Sequence, residues 1–205
     1  MYVHIQWKML EQVFGKGQKR MDLLAECASN FFVMVQWAVL LDIQLTISKL
    51  GDPAQSGKFG NMTLAKLAEE VEQSDPKPVT ELVDNFHKRI AACLQDFSQK
   101  SAKVRERRNK YLAHSDYDTA LDRRPVPILT PTRREIEASL ESLRALMREL
   151  ELHFGEPSTA YSDSATIHDG EDLIMWLKWA HRYDELMTDE TIDWNDWRMS
   201  PFAGA

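Results

Sequence analysis

Apolar residues recur at intervals of three or four along most of the chain, which is the spacing of one face of an α-helix. The long segments of this kind cover residues 18–50, 79–112, 132–153 and 169–187, and a shorter one covers residues 2–14. These segments lack the valine-rich alternation that is typical of strands. The pattern therefore predicts an all-α fold, a bundle of long antiparallel helices with a helix appended at the C-terminal end.

Glycine and proline mark where the helices stop. Residues 51–61 contain three glycines and a proline, so they end the helix before them and are expected to form a mobile loop. Thr63 is then expected to cap a short helix that ends near Gln73. Three prolines between residues 115 and 131 predict a second loop.

The helix over residues 18–50 has apolar side chains nearly all round between Phe31 and Leu45. A helix of this kind is expected to be buried in the centre of the fold. On that reading Met34 and Trp37 belong to the core and not to a binding surface.

The helix over residues 79–112 changes character along its length. Its apolar stripe thins after Phe97, and cations take over. Such a helix is expected to emerge into solvent or into a polar interface. Residues 96–134 hold ten Lys/Arg against five Asp/Glu, although the whole chain has a net charge of −7. A solvated helix face and a nucleic-acid-binding surface both explain this basic middle.

The C-terminal part is acidic, with three Lys/Arg against twelve Asp/Glu from residue 151 onward. The boundaries predicted for the chain are a bundle over residues 1–155 and, over residues 156–205, a connector, a docking helix and an acidic tail with tryptophans. The alternative to simple docking is that the acidic tail lies near the basic middle of the chain and competes with nucleic acid bound there. The expected packing face of the last helix consists of Leu173, Trp176, Leu177, Ala180 and Tyr183.

The basic run ends in a cluster with the residue types of a phosphodiester-cleaving centre. Arg108 is a permanent cation for phosphate oxygens, and His114 is the side chain best suited to move a proton near neutral pH. Asn109 adds a polar amide between them. The arginine–histidine spacing alone is weak, because Arg148 and His153 also fit it and such a pair is expected roughly once by chance.

The surroundings of this cluster resemble the HEPN superfamily of all-helical, dimeric domains that cut RNA or bind nucleotides. Residues 108–110, Arg-Asn-Lys, and residues 113–116, Ala-His-Ser-Asp, are similar to the AbiU-type branch, named for abortive infection in bacteria. The helix that ends in residues 47–52 adds to the resemblance, which covers residues 20–155. Lys49 departs from the pattern, where an arginine is expected.

The resemblance implies a composite site in a homodimer. Along an α-helix Arg108 and His114 lie roughly 120 degrees apart, so one straight helix does not bring them together. HEPN dimers place two such helix ends across a two-fold axis. There His114 acts as general base or acid, Arg108 neutralises charge on phosphorus, and Asn109 orients the phosphate or the imidazole.

Further residues receive supporting roles in this hypothesis. Ser115 and Asp116 form the turn after the histidine, where Asp116 either fixes the histidine tautomer or caps local backbone. Tyr117 is the candidate acceptor if a partner nucleotidyltransferase silences the protein by adding AMP, although it lies three residues beyond the histidine where the pattern has two. The alternative is that Tyr117 only packs the turn. The cations expected to draw in RNA backbone are Lys103, Arg105, Arg107 and Lys110.

Two cysteines in separate helical segments make neither a disulfide framework nor a metal set, so a reducing cytoplasm is the expected compartment. No cofactor, metal or membrane contact is expected. The leading hypothesis is a metal-independent endoribonuclease of a bacterial defence or toxin–antitoxin system. The alternative is a non-catalytic HEPN module that binds a nucleotide or a protein.

Overall fold

The structure is a computed structural model that describes residues 2–74, 81–112, 130–155, 157, 159–161 and 168–189. The described part of the chain consists of helices and one short β-hairpin. The elements are α1 (Tyr2–Phe14), α2 (Gln18–Leu50), β1 (Gln55–Ser56), β2 (Phe59–Gly60), α3 (Leu64–Ser74), α4 (Glu81–Lys100), α5 (Ala102–Arg107), a π-helical turn (Arg108–Leu112), α6 (Arg133–Phe154) and α7 (Gly170–Thr188). The predicted all-α class with long antiparallel helices is confirmed.

The chain forms two compact units that interleave along the sequence. The first, called the motif unit, consists of Met1–Gln6 and Val39–Ser164. The second, called the terminal unit, consists of Trp7–Ala38 and Ala165–Ala205. The domain boundary expected after residue 155 stays a prediction.

The core of the motif unit is the antiparallel pair α4 and α6. The rings of Phe86 and His153 stack at 3.6 Å near one end, and Ser139 Oγ donates to the Lys100 carbonyl at 3.1 Å near the other. The side chains between these contacts lie three or four residues apart on each helix, so one stripe of each helix is buried. The buried apolar side chains are Phe86, Ile90 and Phe97 on α4 and Ile136, Leu140, Leu143, Leu146 and Leu150 on α6.

Local signals set the ends of the motif unit's helices. Thr63 Oγ1 accepts from the Lys66 backbone N–H at 3.2 Å, which confirms its predicted role as cap of α3. Thr132 caps α6 in a capping box with Glu135. Gly155 ends α6 in the left-handed conformation, φ 69°, which favours glycine.

In the terminal unit, the start of α7 packs closely on α1. The side-chain amide of Gln12 on α1 makes two hydrogen bonds to this region. Its Nε2 donates to the Asp169 carboxylate at 2.6 Å, and its Oε1 accepts from the Gly170 backbone N–H at 3.1 Å. Glu171 pairs with Lys16 at 2.6 Å and with Arg20 at 3.1 Å. Buried apolar contacts complete the unit through Val13, Leu24, Phe32 and Ile174.

Burial of α2 differs from the prediction. Phe31, Met34 and Trp37 are 56%, 67% and 61% exposed, so they do not form a core. Only a stripe that includes Leu24, Phe32, Ile43 and Ile47 is buried. An apolar side chain gains free energy when it is buried, but a helix face becomes buried only where another part of the chain packs against it. By length and hydropathy α2 is the one described helix that could also cross a membrane, a test that core helices of soluble proteins pass as well.

The expected face of α7 is also wrong in part. Ile174 is the apolar side chain of α7 that is buried, whereas Leu173, Trp176 and Tyr183 of the expected face are 40%, 57% and 38% exposed. The helix is rotated to bring Ile174 and Leu177 onto the buried cluster of the terminal unit.

Two loop predictions have different outcomes. The segment 51–61 contains the β1–β2 hairpin, in which Ser56 pairs with Phe59. The loop predicted over residues 115–131 lies almost entirely outside the described residues.

Candidate functional site

The apolar pattern predicted one uniform α-helix for the segment that carries the basic run. The structure instead divides this segment into three parts. α4 ends at Lys100, α5 follows over Ala102–Arg107, and residues 108–112 form a π-helical turn. A π turn contains more residues than an α turn and occurs often at functional sites. The predicted angle of roughly 120 degrees around the helix axis between Arg108 and His114 was calculated for a regular α-helix. It therefore does not apply across the π-helical turn.

The apolar stripe also does not fade into solvent after Phe97. Ser101 and Val104 are both fully buried. Small side chains continue the packing face where large ones stop, and a count of large apolar residues misses this continuation. The cations therefore lie on a helix that remains anchored in the motif unit.

Arg108 begins the π turn and is held by Asp52. Its Nη1 lies 2.6 Å from one carboxylate oxygen and its Nη2 lies 2.8 Å from the other. Its Nε donates to the Asn109 side-chain oxygen at 2.9 Å. The side chains of Arg108 and Asp52 are only 17% and 24% exposed, so this pair is better shielded from water than most surface ion pairs.

Asp52 reaches Arg108 because the chain turns sharply after α2. The backbone N–H groups of Gly51 and Asp52 bond to carbonyls in the last turn of α2. A Cβ at Gly51 would lie 3.1 Å from Arg105 Cδ and 3.4 Å from a ring carbon of Phe97. The small residue lets the turn approach α5 closely, which puts the next side chain within reach of the guanidinium.

Asp52 was expected only as a turn residue, and its ion pair with Arg108 was not predicted. The signal in the sequence is an acidic residue directly after the glycine that ends a long helix. That signal is common in turns, so it does not by itself identify a partner 56 residues away. Lys49, the noted departure from the family pattern, is exposed.

The four cations expected to bind RNA differ in their surroundings. Lys103 pairs with Glu135, and the Lys103 hydrogen bond is the main cause of a lowered pKa for that carboxyl. Arg107 donates to the Thr130 hydroxyl. The buried Nε atoms of Arg105 and Arg107 have no hydrogen-bond partner within the described part of the chain. Lys110 is half-buried on the π turn.

The remaining predicted site residues are His114, Ser115, Asp116 and Tyr117. All of them lie outside the described residues, so their roles stay predictions. Of the predicted catalytic set, the described structure brings together Arg108 and Asn109. Within the described ranges no group of three or more His, Cys, Asp or Glu side chains could hold a metal ion.

The competing arginine–histidine pair on α6 has a structural explanation. His153 stacks nearly parallel on Phe86, with an interplanar angle of 8°, and the helix ends two residues later at Gly155. Arg148 is exposed. These contacts agree with the interpretation of this pair as part of an ordinary helix end.

The AbiU2 model of HEPN domains matches residues 2–173, which is more than four fifths of the chain. The chain belongs to the AbiU2 family of HEPN domains. The resemblance inferred from residues 108–116 is thereby confirmed, and the AbiU2 match reaches further than residues 20–155, to include α1 and the start of α7. Searches of curated proteins and of solved structures gave no match.

Proposed function

We propose that this AbiU2 protein is a metal-independent endoribonuclease of a bacterial defence system, with Arg108 and His114 at a composite site in a homodimer. Family membership supports an abortive-infection role. The observation that carries the proposal is the fixed position of Arg108. Asp52 and Asn109 take three of its five N–H groups, and the other two have no partner among the described residues.

Two N–H groups on a fixed guanidinium suit the recognition of a phosphate. One of them is on Nη1 and the other on Nη2, at opposite edges of the guanidinium, so each can donate a single hydrogen bond to a phosphate oxygen, and orientation in advance lowers the cost of forming it. During 2′-hydroxyl attack on phosphorus, charge grows on the non-bridging oxygens, and Arg108 would stabilise that charge. His114 would take the proton from the 2′-hydroxyl or give one to the leaving oxygen, with one histidine from each protomer in each role.

Asp52 acts in this proposal as a positioning residue. Its carboxylate fixes the guanidinium plane, and its negative charge also weakens the attraction of Arg108 for phosphate. Asp52→Asn should therefore lower KM for RNA while reducing kcat. Asp42→Asn is the matched control, because Asp42 is an exposed aspartate of α2 that accepts only from Gln6 Nε2 among the described residues. A purely structural Asp52 would change the melting temperature and leave the ratio of KM to kcat as in the control.

The deciding experiment incubates the purified chain with total RNA and a metal chelator. Arg108→Ala and His114→Ala should each abolish cleavage, and circular dichroism should show an intact fold. Arg148→Ala and His153→Ala should keep cleavage, because these two residues match the arginine–histidine spacing only by chance and lie outside the proposed site. If His114→Ala cuts as well as the parent, the catalytic assignment is wrong.

The dimer needs its own measurement. The expected interface lies at the end of the α5 and π-turn segment, but Phe31, Met34 and Trp37 of α2 form an exposed apolar surface that also favours association. Light scattering at micromolar concentration should give a dimer mass. Trp37→Glu should leave the dimer intact if the interface is at the π turn and should give a monomer if the interface is on α2. A monomeric parent protein would remove the composite site.

Control of the activity is proposed through a partner nucleotidyltransferase that adds AMP to Tyr117, in a cytoplasmic setting without membrane contact. A bulky anion beside Arg108 would repel RNA phosphate. Intact-mass spectrometry of the protein co-expressed with its genomic neighbour should show one added AMP, and none in Tyr117→Phe. Modification that persists in Tyr117→Phe would contradict the assignment.

The second candidate function is a non-catalytic module that binds a nucleotide or a protein. The two-pronged contact with Asp52 favours it, since the same pair could simply join the end of α2 to the π turn. On this reading Arg108→Ala lowers stability, and the parent protein cuts no RNA at any concentration tested.

A further inference from the structure

We propose that Arg105 on α5 binds one phosphate of an RNA strand through two parallel hydrogen bonds, next to the phosphate that Arg108 contacts. This site extends the proposed ribonuclease function and rests on it, because there Arg108 holds the reacting phosphate. Arg105 combines two properties that such a site needs. Its side chain is held in place by packing, and the outer end of its guanidinium is not in use.

The stem of Arg105 packs against the turn that follows α2. A Cβ at Gly51 would lie 3.1 Å from Arg105 Cδ and 3.5 Å from its Nε, so the glycine leaves the room that this side chain occupies. Nε itself is buried. Because the stem is enclosed, the guanidinium has lost much of its freedom before a ligand binds, which lowers the cost of binding.

The outer end of the Arg105 guanidinium is open to a ligand. Nη1 and Nη2 have no hydrogen-bond or ion-pair partner in the part of the chain that the structure describes. The residue is half-buried, and of its three guanidinium nitrogens only Nε is enclosed, so Nη1 and Nη2 reach solvent. Together they present two parallel N–H groups, which match two oxygens of one phosphate.

Arg108 cannot offer the same edge, because Asp52 occupies it. The Asp52 carboxylate accepts from Arg108 Nη1 at 2.6 Å and from Nη2 at 2.8 Å, and the Asn109 side-chain oxygen accepts from Nε at 2.9 Å. The two N–H groups that remain on Arg108 lie at opposite edges and give single hydrogen bonds. The paired contact with a phosphate therefore falls to Arg105.

The other predicted RNA-binding cations are less suited to this contact. Lys103 is already in an ion pair, and Arg107 already donates through Nη1 to a threonine hydroxyl. Lys110 carries an ammonium group, which binds phosphate as a point charge without a planar pair of donors. Of the described arginines in the basic run, Arg105 is the one in which both Nη atoms lack a partner.

Arg105 and Arg108 lie close enough to contact consecutive phosphates of one strand. The Arg108 backbone N–H bonds to the carbonyls of Val104 and Arg105, so helical geometry continues between the two arginines. Residues three apart on a helix are neighbours, with Cβ atoms about 5–6 Å apart. Both side chains also lie against the same turn, Arg105 at Gly51 and Arg108 at Asp52. This spacing is comparable to that of consecutive phosphates along a strand.

The two arginines should differ in their kinetic effects. A contact with a phosphate that does not react is equally strong in the ground state and in the transition state. Such a contact lowers KM and leaves kcat unchanged. Arg108 acts in the proposed reaction on the phosphate that gains charge, so its loss lowers kcat.

The test measures binding of a fluorescein-labelled, mixed-sequence 2′-O-methyl oligoribonucleotide to the full chain by fluorescence anisotropy. The methyl groups block attack by the 2′-hydroxyl, so binding is measured without cleavage. Arg105→Lys keeps the charge and much of the packed stem but loses the paired donors, so affinity should fall about tenfold with an unchanged salt dependence. Arg105→Gln also removes the charge, so the slope of log affinity against log salt concentration should become shallower by about 0.7.

Arg148→Lys and Arg148→Gln are the matched controls, because Arg148 is an exposed arginine of the same unit outside the basic run. Both should bind the oligonucleotide as the parent does. On cleavable RNA, Arg105→Lys should raise KM about tenfold and keep kcat. Circular dichroism checks the fold, and Arg105→Lys decides the test if Arg105→Gln loses the packing of the stem and unfolds.

Unchanged affinity in Arg105→Lys, or an equal loss in Arg148→Lys, would overturn the site, as would a parent protein that does not bind the oligonucleotide. A fall in kcat at constant KM in Arg105→Lys would also overturn it, because Arg105 would then act on the reacting phosphate. If the parent binds the oligonucleotide more tightly than Arg105→Lys does and yet cuts no RNA, the ribonuclease function fails and the phosphate contact of Arg105 stands.

Discussion

Among the described residues, two arginines form bidentate ion pairs with a carboxylate, one in each compact unit. Arg108 pairs with Asp52 at 2.6 and 2.8 Å, and Arg20 pairs with Glu171 at 3.2 and 3.1 Å. Both guanidinium groups are largely shielded, with 17% and 14% of the side chain exposed. The geometry and the burial of the ion pair therefore do not distinguish Arg108 from Arg20.

Their surroundings differ. Arg20 also donates to the Gln12 carbonyl, and Glu171 also accepts from Lys16, so this cluster ties α1, α2 and α7 together at one point. Arg108 stands on a π turn beside the exposed Asn109, within the sequence cluster that resembles the family's motif. The additional partners of each ion pair, and the backbone conformation at the arginine, therefore distinguish Arg108 from Arg20.

The largest contrast is expected from removing each arginine in turn. Arg108→Ala should lower RNA cleavage by at least about 100-fold, as loss of a charge-stabilising donor does. Its melting temperature should also fall, because the partly buried Asp52 carboxylate loses its partner. Arg20→Ala should keep cleavage and lower the melting temperature by about 3–6 °C, which corresponds to about 1–2 kcal/mol after screening at the partly exposed Glu171. The comparison fails if both variants behave alike.

The glycines beside the two pairs offer a second contrast. A Cβ at Gly170 would lie 2.9 Å from both Gln12 Cβ and Val13 Cγ2, so Gly170→Ala should cost about 1–3 kcal/mol of stability. Gly51→Ala should cost less, because the nearest atom, at 3.1 Å, belongs to the flexible Arg105 side chain. Urea denaturation measures both. A larger loss at Gly51 would show that the turn before Asp52 is the more rigid of the two.

Acid should affect the motif unit through His4. The lowered pKa of about 4, against 6.5 in the unfolded chain, means that the unfolded state takes up a proton first as pH falls. Stability from this group is complete above pH 6.5 and declines until about pH 4. The stability difference between the parent and His4→Phe should therefore change across that window. A constant difference would mean that His4 is more solvated than the structure indicates.

A smaller acid effect is expected in the terminal unit, at Glu171. Hydrogen bonds from Arg20 and Lys16 lower its pKa from 4.5 to about 2. A lowered carboxyl pKa stabilises the fold above pH 4.5, and this contribution is lost as pH falls toward about 2. Partial exposure of Glu171 keeps the effect small. Urea titrations at pH 5 and pH 3 should show that Glu171→Gln differs from the parent at pH 5 and approaches it at pH 3.

Residue patterns along the chain were enough to predict the helical class, the approximate ends of most long helices and the Thr63 cap. These features are local, since periodicity, Thr63, Thr132 and Gly155 act within a few residues of where they stand. The sequence also determined the family, because residues 108–116 carry it as a contiguous pattern.

Which helix faces are buried, and which residues Arg108 contacts, depend on tertiary packing. Met34 and Trp37 look like core residues by periodicity, but their burial depends on a partner surface elsewhere in the chain. The pairing of Asp52 with Arg108 joins residues 56 positions apart, and it depends on the close approach of Gly51 to α5. Contacts of this kind arise only when separate elements pack, so no local pattern specifies them.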